Sequence, residues 1–221
     1  MLSHSALCYT DHRRPPVPRN FLYLNFDAVG GFCPEKKMFW RYDLDTELTL
    51  KLRHCAATRK HSDISINLLE LCGMFFTAWC LIVQERDLPE NEGDPILMRG
   101  DSVSAVSWIN RCGGSRDTRA GLVMRLLGRL ELTSGWCLVA KHIPGVENVL
   151  ADGISRWPRS EVAREVRRLA GLGWTEISLG NNGQRLFDAI LAPSGRARAT
   201  DDEIWKKTLP RPFPGIPPPS S

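Results

Sequence analysis

The segment 136–157 constrains the fold of this chain more than any other part of its sequence. Its first residues, Trp136–Ala140, are mostly apolar and predict a β-strand. His142 follows, then a Pro-Gly turn signal, and then a stretch that predicts a short helix with Asp152 in its first turn. A strand followed by a histidine and by an aspartate on a helix can place a proton carrier and a carboxylate at one edge of a sheet. The segment therefore predicts an α/β fold with chemistry at that edge.

Length and composition bound the class of protein. The chain has 221 residues, of which 43% are hydrophobic, and this is enough for one domain with a real core plus tails. No apolar run reaches the roughly 18 residues of a membrane span, and the first residues lack the basic and apolar regions of a signal peptide. We therefore expect an intracellular protein, cytoplasmic or nuclear, without a membrane partner. The net charge of +4 is compatible with a nucleic-acid partner.

The order of the remaining elements predicts a mixed sheet. Strands are predicted at 21–26, 38–42, 96–101 and 136–140, and helices at 63–84, 102–110, 118–132 and from 148 onward. This order indicates a mixed α/β sheet with helices on its faces. We expect four regions: a flexible leader at 1–20, the main domain at 21–160, a C-terminal helical extension at 161–190 and a disordered Pro-rich tail at 191–221.

Three acidic residues lie where phosphodiester chemistry would need them. Glu70 interrupts an apolar helical stretch, where a charge without a partner is unfavourable. Asp101 ends a strand and precedes a helix, and the carboxyl ends of strands are where open α/β sheets place ligands. Two-metal cleavage needs several carboxylates around ions about 3.5–4 Å apart, and magnesium prefers oxygen ligands. Taken singly, Glu70 could lie on a solvated helix edge, Asp101 could cap a helix, and Asp152 could be an ordinary first-turn acid.

Together these residues carry a family resemblance. The stretches Asn67–Leu71, Arg99–Trp108 and His142–Trp157 resemble three successive motifs of the ribonuclease H domain that polyproteins of gypsy-like and related retrotransposons carry behind reverse transcriptase. Gly30–Cys33 with Phe39–Leu44 is similar to the hairpin that follows the family's first motif. The resemblance covers the predicted main domain, and its last motif is its most specific part.

The resemblance implies a ribonuclease H-like mixed sheet of about five strands flanked by helices. It also implies an endonuclease that hydrolyses the RNA strand of RNA–DNA hybrids with two Mg²⁺ or Mn²⁺ ions, in contact with the reverse transcriptase domain of a parent polyprotein. By the same resemblance Glu70, Asp101 and Asp152 are metal ligands, and His142 shuttles protons or assists product release. The chain has no Tyr-x-Asp-Asp polymerase motif, so we interpret it as a detached fragment of such a polyprotein.

The family's first motif, an aspartate at the end of the first strand, leaves three alternatives here. Counting back from the Gly-Gly pair without a gap gives Tyr23, which cannot hold magnesium. A shorter loop gives Asp27, where the apolar stretch 21–26 ends, and we favour this residue as the fourth catalytic ligand. A third alternative is Asp11, followed by an inserted segment. The choice matters because strands rise ~3.3 Å per residue, so an error of about four residues displaces a carboxylate by ~13 Å, against a magnesium–oxygen bond of ~2.1 Å.

Basic residues near the predicted catalytic edge are the candidates for phosphate contacts. A hybrid-binding surface needs arginine and lysine for phosphates, together with contacts to RNA 2′-hydroxyls. The four candidates are Arg99, Arg111, Arg116 and Lys141. A second basic set either extends this track or forms a solvated helix face; it consists of Arg156, Arg159, Arg164, Arg167 and Arg168.

Two other functions are compatible with the same residues. If the first carboxylate is missing, the chain is a catalytically inactive retroelement remnant that keeps the fold and weak nucleic-acid binding. Another nuclease of the same superfold, such as an integrase, is disfavoured because the motif from His142 to Asp152 does not belong to that branch.

Overall fold

The computed structural model describes residues 27–58, 64–84, 95–113 and 117–192. The elements, in chain order, are β1 (Ala28–Cys33), β2 (Met38–Asp43), α1 (Thr46–Thr58), α2 (Ile66–Gln84), β3 (Pro95–Gly100), α3 (Val103–Asn110), α4 (Thr118–Ser134), β4 (Cys137–His142), α5 (Val149–Arg156), α6 (Val162–Gly171), β5 (Thr175–Glu176) and α7 (Gly180–Leu191). The predicted leader, the strand predicted at 21–26 and the tail from 193 onward lie outside the described residues, as do Asp11, Tyr23 and Arg116. Most described elements lie within a few residues of their predicted positions.

The described strands form two sheets. β1 pairs with β2 in antiparallel register, from Ala28 opposite Asp43 to Cys33 opposite Met38, and β5 adds a short parallel pairing to β2. β3 and β4 form a separate parallel pair. The predicted mixed α/β class is confirmed, whereas the single sheet of about five strands is not, because no described hydrogen bond joins β1 to β3.

A cleft of about 80 Å³ lies where the two sheets meet. Its walls include Gly30–Cys33 of β1 and Ile96–Gly100 of β3, and α2 contributes Met74 and Thr77. Within the described residues, each wall is a strand edge without a paired neighbour, since β1 pairs with β2 and β3 with β4 on the other side. The two sheets therefore face each other across α2 without being joined in the described part of the chain.

The centre of the core is α2. Its side chains Leu68, Leu71, Phe75 and Phe76 have no exposed surface, as expected for a helix that is apolar around its whole circumference. The Ser65 hydroxyl accepts a hydrogen bond from the Leu68 amide at 3.2 Å and so caps the helix start. Although α2 is long and apolar, no helix in the described residues is both long and apolar enough to cross a membrane.

The Gly-Gly pair of β1 lets helices pack closely on both faces of the strand. A Cβ atom at Gly30 would lie 2.6 Å from the Ile154 Cγ2 of α5, and one at Gly31 would lie 2.0 Å from the Thr77 Oγ1 of α2. Both separations are far below van der Waals contact, so a side chain at either position would force a helix away. The two glycines thus bring α2 and α5, which carry two of the candidate acids, to opposite faces of one strand.

The last helix, α7, completes the main core. Phe187 is fully buried and stacks on Tyr42 with ring centroids 4.2 Å apart and on Phe76 at 4.9 Å. Gly183 allows α7 to approach Trp79, since a Cβ there would lie 3.2 Å from that ring. The region predicted as a C-terminal extension therefore supplies side chains that cover α2 and β2.

Candidate active site

The structure brings Glu70, Asp101 and Asp152 into one electrostatic cluster. Glu70 projects from α2, Asp101 follows the last residue of β3, and Asp152 lies in the first turn of α5. Burial, followed by the negative charges of Asp101 and Asp152, raises the pKa of Glu70 to about 7. Burial also raises the pKa of Asp152, and Asp101 contributes to that shift. Three separate elements thus converge, as predicted from their order along the chain.

A polar contact between helix starts holds Glu70 beside Asp101. Ser102 caps α3, because its hydroxyl accepts from the Ala105 amide at 3.2 Å. The same hydroxyl donates to the Asn67 Oδ1 near the start of α2 at 3.1 Å. Because Ser102 takes the capping role, the ordinary explanation of Asp101 as a helix cap does not apply, and its carboxylate remains available to the cluster.

His142 is the last residue of β4 and lies beside the strand end that carries Asp101. It pairs in register with Gly100, and its Nε2 is 3.1 Å from the main-chain oxygen of Asp101. A carbonyl only accepts, so Nε2 carries the proton in this contact. The following turn also closes on the site, since a Cβ at Gly145 would lie 3.3 Å from the Asp101 Oδ2. His142 and Asp101 thus lie together at one end of the β3–β4 pair.

Asp27 is engaged in an ion pair with an arginine of α1. The described strand begins at Ala28, so Asp27 directly precedes β1, and the strand 21–26 that it was predicted to end lies outside the described residues. Its carboxylate is 2.6 Å from the Arg53 guanidinium of α1, and its main-chain oxygen accepts from the Leu44 amide at 2.9 Å. The charges that act on Glu70 come instead from Asp101, Asp152 and Arg156.

Arg156 is the counter-ion of the three-acid cluster. Its guanidinium lies 2.7 Å from Asp152, one helical turn earlier on α5. Its charge opposes the upward pKa shifts that burial causes at Asp152 and at Glu70. The side chain that the sequence offered as part of a phosphate track is therefore engaged with the acids in this conformation.

The acids have the donor chemistry of a divalent-cation site but are not yet arranged as one. Across the parts of the chain that the structure describes, no group of three or more histidine, cysteine, aspartate or glutamate side chains is placed to hold a metal ion. Carboxylate oxygens are nevertheless the ligands that Mg²⁺ prefers. Burial and the repulsion between the carboxylates favour protonation of Glu70 near neutral pH, and in such a cluster a divalent cation can replace the proton. The residues Glu70, Asp101 and Asp152 therefore fit such an ion in chemistry and neighbourhood.

The candidate phosphate-binding residues have different surroundings. Arg111 and Lys141 are exposed. Arg99 lines the cleft between β1 and β3, and its buried Nε has no hydrogen-bond partner within the described structure. In the second basic set, Arg164 and Arg168 both bind Glu165, at 3.2 and 2.7 Å. These ion pairs favour the interpretation of α6 as a solvated helix face.

Two arginines near the site were not singled out by sequence reasoning. Arg53 binds Asp27, and Arg41 of β2 reaches the C-terminal end of α5. Both pair with residues distant along the chain, and no spacing rule connects them. Their only sequence signal is a basic residue within an otherwise apolar or amphipathic element.

Comparison with known proteins assigns no family to the chain. No family model matches it. No curated protein matches it, and no solved structure does. The function of the site must therefore be inferred from the chemistry of these residues.

Proposed function

We propose that the chain is a metal-dependent endonuclease of ribonuclease H type, which hydrolyses the RNA strand of RNA–DNA hybrids. The observation that carries this proposal is the convergence of Glu70, Asp101 and Asp152 from α2, β3 and α5, with the pKa of Glu70 raised to about 7. Strongly shifted pKa values caused by burial and by specific charged partners tend to cluster at functional sites. His142 beside Asp101 supplies a proton carrier at the same edge.

Each residue has a defined task in this proposal. Glu70, Asp101 and Asp152 would hold the ions, with Asp27 or Asp11 as a further ligand. Bound Mg²⁺ or Mn²⁺ would activate a water and stabilise the leaving oxygen. Glu70 must release its proton before its carboxylate can bind a cation. The exposed ring of His142 can pass a proton between the site and solvent.

A strand inserted between β1 and β3 would complete both the sheet and the acid set. β1 runs in the same direction as α2, because Val29 lies against Gly73 and Gly31, two residues later, lies against Thr77. β3 runs in the opposite direction to α2. Gly100 lies against Met74, and the charge of Asp101, one residue later, adds to burial in raising the pKa of Glu70, one turn earlier on α2. A strand parallel to β3 and antiparallel to β1 would therefore end at the acid cluster.

Such a strand would deliver a carboxylate at its C-terminal end to the three acids. The segment that ends at Asp11 is the candidate for it, because the predicted strand 21–26 leaves only Asp27 before β1 and the shortest common hairpin loop has two residues. The segment that ends at Asp11 lies outside the described residues. This insertion is our proposal for how the two sheets become the five-stranded ribonuclease H-like sheet.

Hybrid cleavage tests the proposed activity directly. The full chain should cleave the RNA strand of a labelled RNA–DNA hybrid in Mg²⁺, and Asp101→Asn should abolish cleavage. Glu176→Gln, which removes an exposed carboxylate on β5, is the control and should cleave like the wild type. A hybrid that stays intact with generous enzyme and metal would contradict the proposal.

An inactive remnant is the second candidate, and two contacts favour it. Arg53 neutralises Asp27 and Arg156 neutralises Asp152 in the described conformation. If these ion pairs persist with metal present, Asp27 and Asp152 stay bound to arginine instead of metal, and the fold keeps at most hybrid binding. Binding of a fluorescent hybrid without cleavage, in Mg²⁺ and in Mn²⁺, would identify this case.

A further inference from the structure

Arg41 carries a buried positive charge on β2. Its side chain is only 3% exposed, whereas its acidic partner Asp43 is 47% exposed. Removing a guanidinium from water is unfavourable unless most of its donors find acceptors. The hydrogen-bond acceptors of Arg41 therefore show which part of the fold this buried charge stabilises.

Two of these contacts reach the C-terminal end of α5. Nη1 donates to the main-chain oxygen of Ile154. Nη2 donates to that of Trp157, the residue that ends the helix, at 3.1 Å. Nε and Nη2 also donate to the Asp43 Oδ1 at 2.9 and 2.7 Å. The last carbonyls of a helix carry partial negative charge, so a cation there is stabilising.

α5 depends on such contacts because it is short. It has eight residues, and isolated helices shorter than ~12 residues are marginal in water. On one side Ile154 is fully buried in a cluster with Phe32, Phe39 and Leu169. Arg41 adds directional hydrogen bonds, which fix where the helix end lies along and around its axis.

We propose that Arg41 is a positioning residue, which holds α5 so that Asp152 stays beside Glu70 and Asp101. The inference rests on the proposed function, since it concerns the same metal site. Asp152 lies two residues before Ile154, about 3 Å along the axis at ~1.5 Å per residue. A shift of the helix end therefore moves the carboxylate by a similar amount. Metal–oxygen bonds of ~2.1 Å do not tolerate a displacement of ~1 Å.

The planar fork of arginine is what makes the arrangement possible. Its nitrogens reach two carbonyls and one carboxylate at once, whereas a lysine ammonium is a single point charge on a flexible stem. Arg41→Lys should therefore keep the charge at the helix end but lose part of the orientation. Arg41→Met should lose both.

A matched control exists at Arg159. Its Nη2 donates to the main-chain oxygen of Leu44 at 2.5 Å, so it also ties the chain beyond α5 to the segment after β2. The carbonyl that it binds does not belong to α5. Arg159→Met thus removes an arginine–carbonyl tether of the same kind without releasing the helix that carries Asp152.

The test is Mg²⁺ affinity of the full chain, measured by calorimetry well below the melting temperature of each variant. Arg41→Met should weaken Mg²⁺ binding by about 10-fold or more, the range seen when residues that support ligands are removed. Arg41→Lys should recover part of the loss, and Arg159→Met should bind like the wild type. Hydrogen exchange of the peptide 149–157 should become faster in Arg41→Met alone.

Each outcome decides between distinct explanations. Wild-type Mg²⁺ binding that is unchanged in Arg41→Met would show that the residue is merely structural and would overturn the inference alone. Equal losses in Arg41→Met and Arg159→Met would also overturn it. A wild-type chain that binds no Mg²⁺ would overturn the proposed function together with the inference.

Discussion

Arg53 and Asp27 form an ion pair 2.6 Å long, in which the Asp27 side chain is 17% exposed and that of Arg53 43% exposed. The pair joins the residue before β1 to the middle of α1. It holds the favoured fourth carboxylate against a fixed cation, so Mg²⁺ would have to compete with Arg53 for Asp27. The pairing can be broken by mutation without touching the three-acid cluster.

Breaking this pair should strengthen metal binding if Asp27 is a ligand. We expect Arg53→Met to tighten Mg²⁺ binding by about 3- to 5-fold, because a partly exposed ion pair contributes up to ~1 kcal/mol. Asp27→Asn should weaken it, and calorimetric titration with Mg²⁺ measures both. Lys51→Met, which breaks the exposed 3.7 Å pair with Glu47 on the same helix, should have no effect. Unchanged affinity in both Asp27→Asn and Arg53→Met would instead favour Asp11.

The raised pKa of Glu70 should make the protein less stable as pH rises. The folded state holds a proton at Glu70 up to about pH 7, whereas the unfolded state loses it near the ordinary value of 4.5. The folded state therefore binds more protons between these values, and the free energy of unfolding falls across that interval and levels off above it. At about 1.4 kcal/mol per pKa unit, the full shift would lower the free energy of unfolding by ~3 kcal/mol. We expect a loss of roughly 2 kcal/mol, because Glu70 keeps some exposure to solvent.

Glu70→Gln should remove this dependence. The amide cannot ionise, so the variant should be more stable than the wild type at pH 8 and similar to it near pH 5. Urea denaturation at both pH values measures the difference. A wild type whose stability is flat from pH 5 to 7 would show that Glu70 titrates normally.

Metal binding should release protons from the cluster. At pH 6.5 a substantial fraction of Glu70 is protonated, given its pKa of about 7, and a bound cation requires the carboxylate. Calorimetry of Mg²⁺ binding in buffers of different ionisation enthalpy should therefore give a proton release near one-half to one per site. Glu70→Gln should show none from this position. Buffer-independent heats in the wild type would mean that Glu70 is not a ligand.

The close packing at β1 predicts a large effect from one added methyl group. Gly31→Ala would place a Cβ 2.0 Å from the Thr77 Oγ1, and overpacking of this kind costs about 1–3 kcal/mol. Gly128→Ala on α4 is the control, because a Cβ there meets nothing within 4 Å, and it should stabilise by ~0.5–1 kcal/mol through helix propensity. Urea unfolding compares the two variants. Equal effects would show that β1 and α2 are less tightly packed than described.

The sequence was sufficient to group three of the acids but not to place the fourth. Glu70, Asp101 and Asp152 each lie on an element with a clear local pattern, and the order of those elements determines which strand ends and helix starts meet. Asp27 has no such pattern, because its partner Arg53 belongs to α1, a weakly patterned helix in a segment that the sequence left undecided.

Local sequence patterns could not predict how the strands pair or which distant residues the arginines contact, for a related reason. Strand propensity identifies β2, β3 and β4 approximately, but pairing depends on which edges meet in space. The separation of β1 from β3 is visible only in three dimensions. Arg41 and Ile154 are joined across the fold by a hydrogen bond that neither residue's neighbours along the chain would reveal.

The stacking of Phe187 between Tyr42 and Phe76 has a consequence for biosynthesis. A nascent chain emerges from its N-terminal end, so α2 and β2 leave the ribosome long before the helix that covers them. Until α7 emerges, Phe76 and Trp79 face water or a chaperone. Burial of these rings therefore requires that residues 180–191 have been translated, and a chain that stops before them would expose an aromatic surface that favours aggregation.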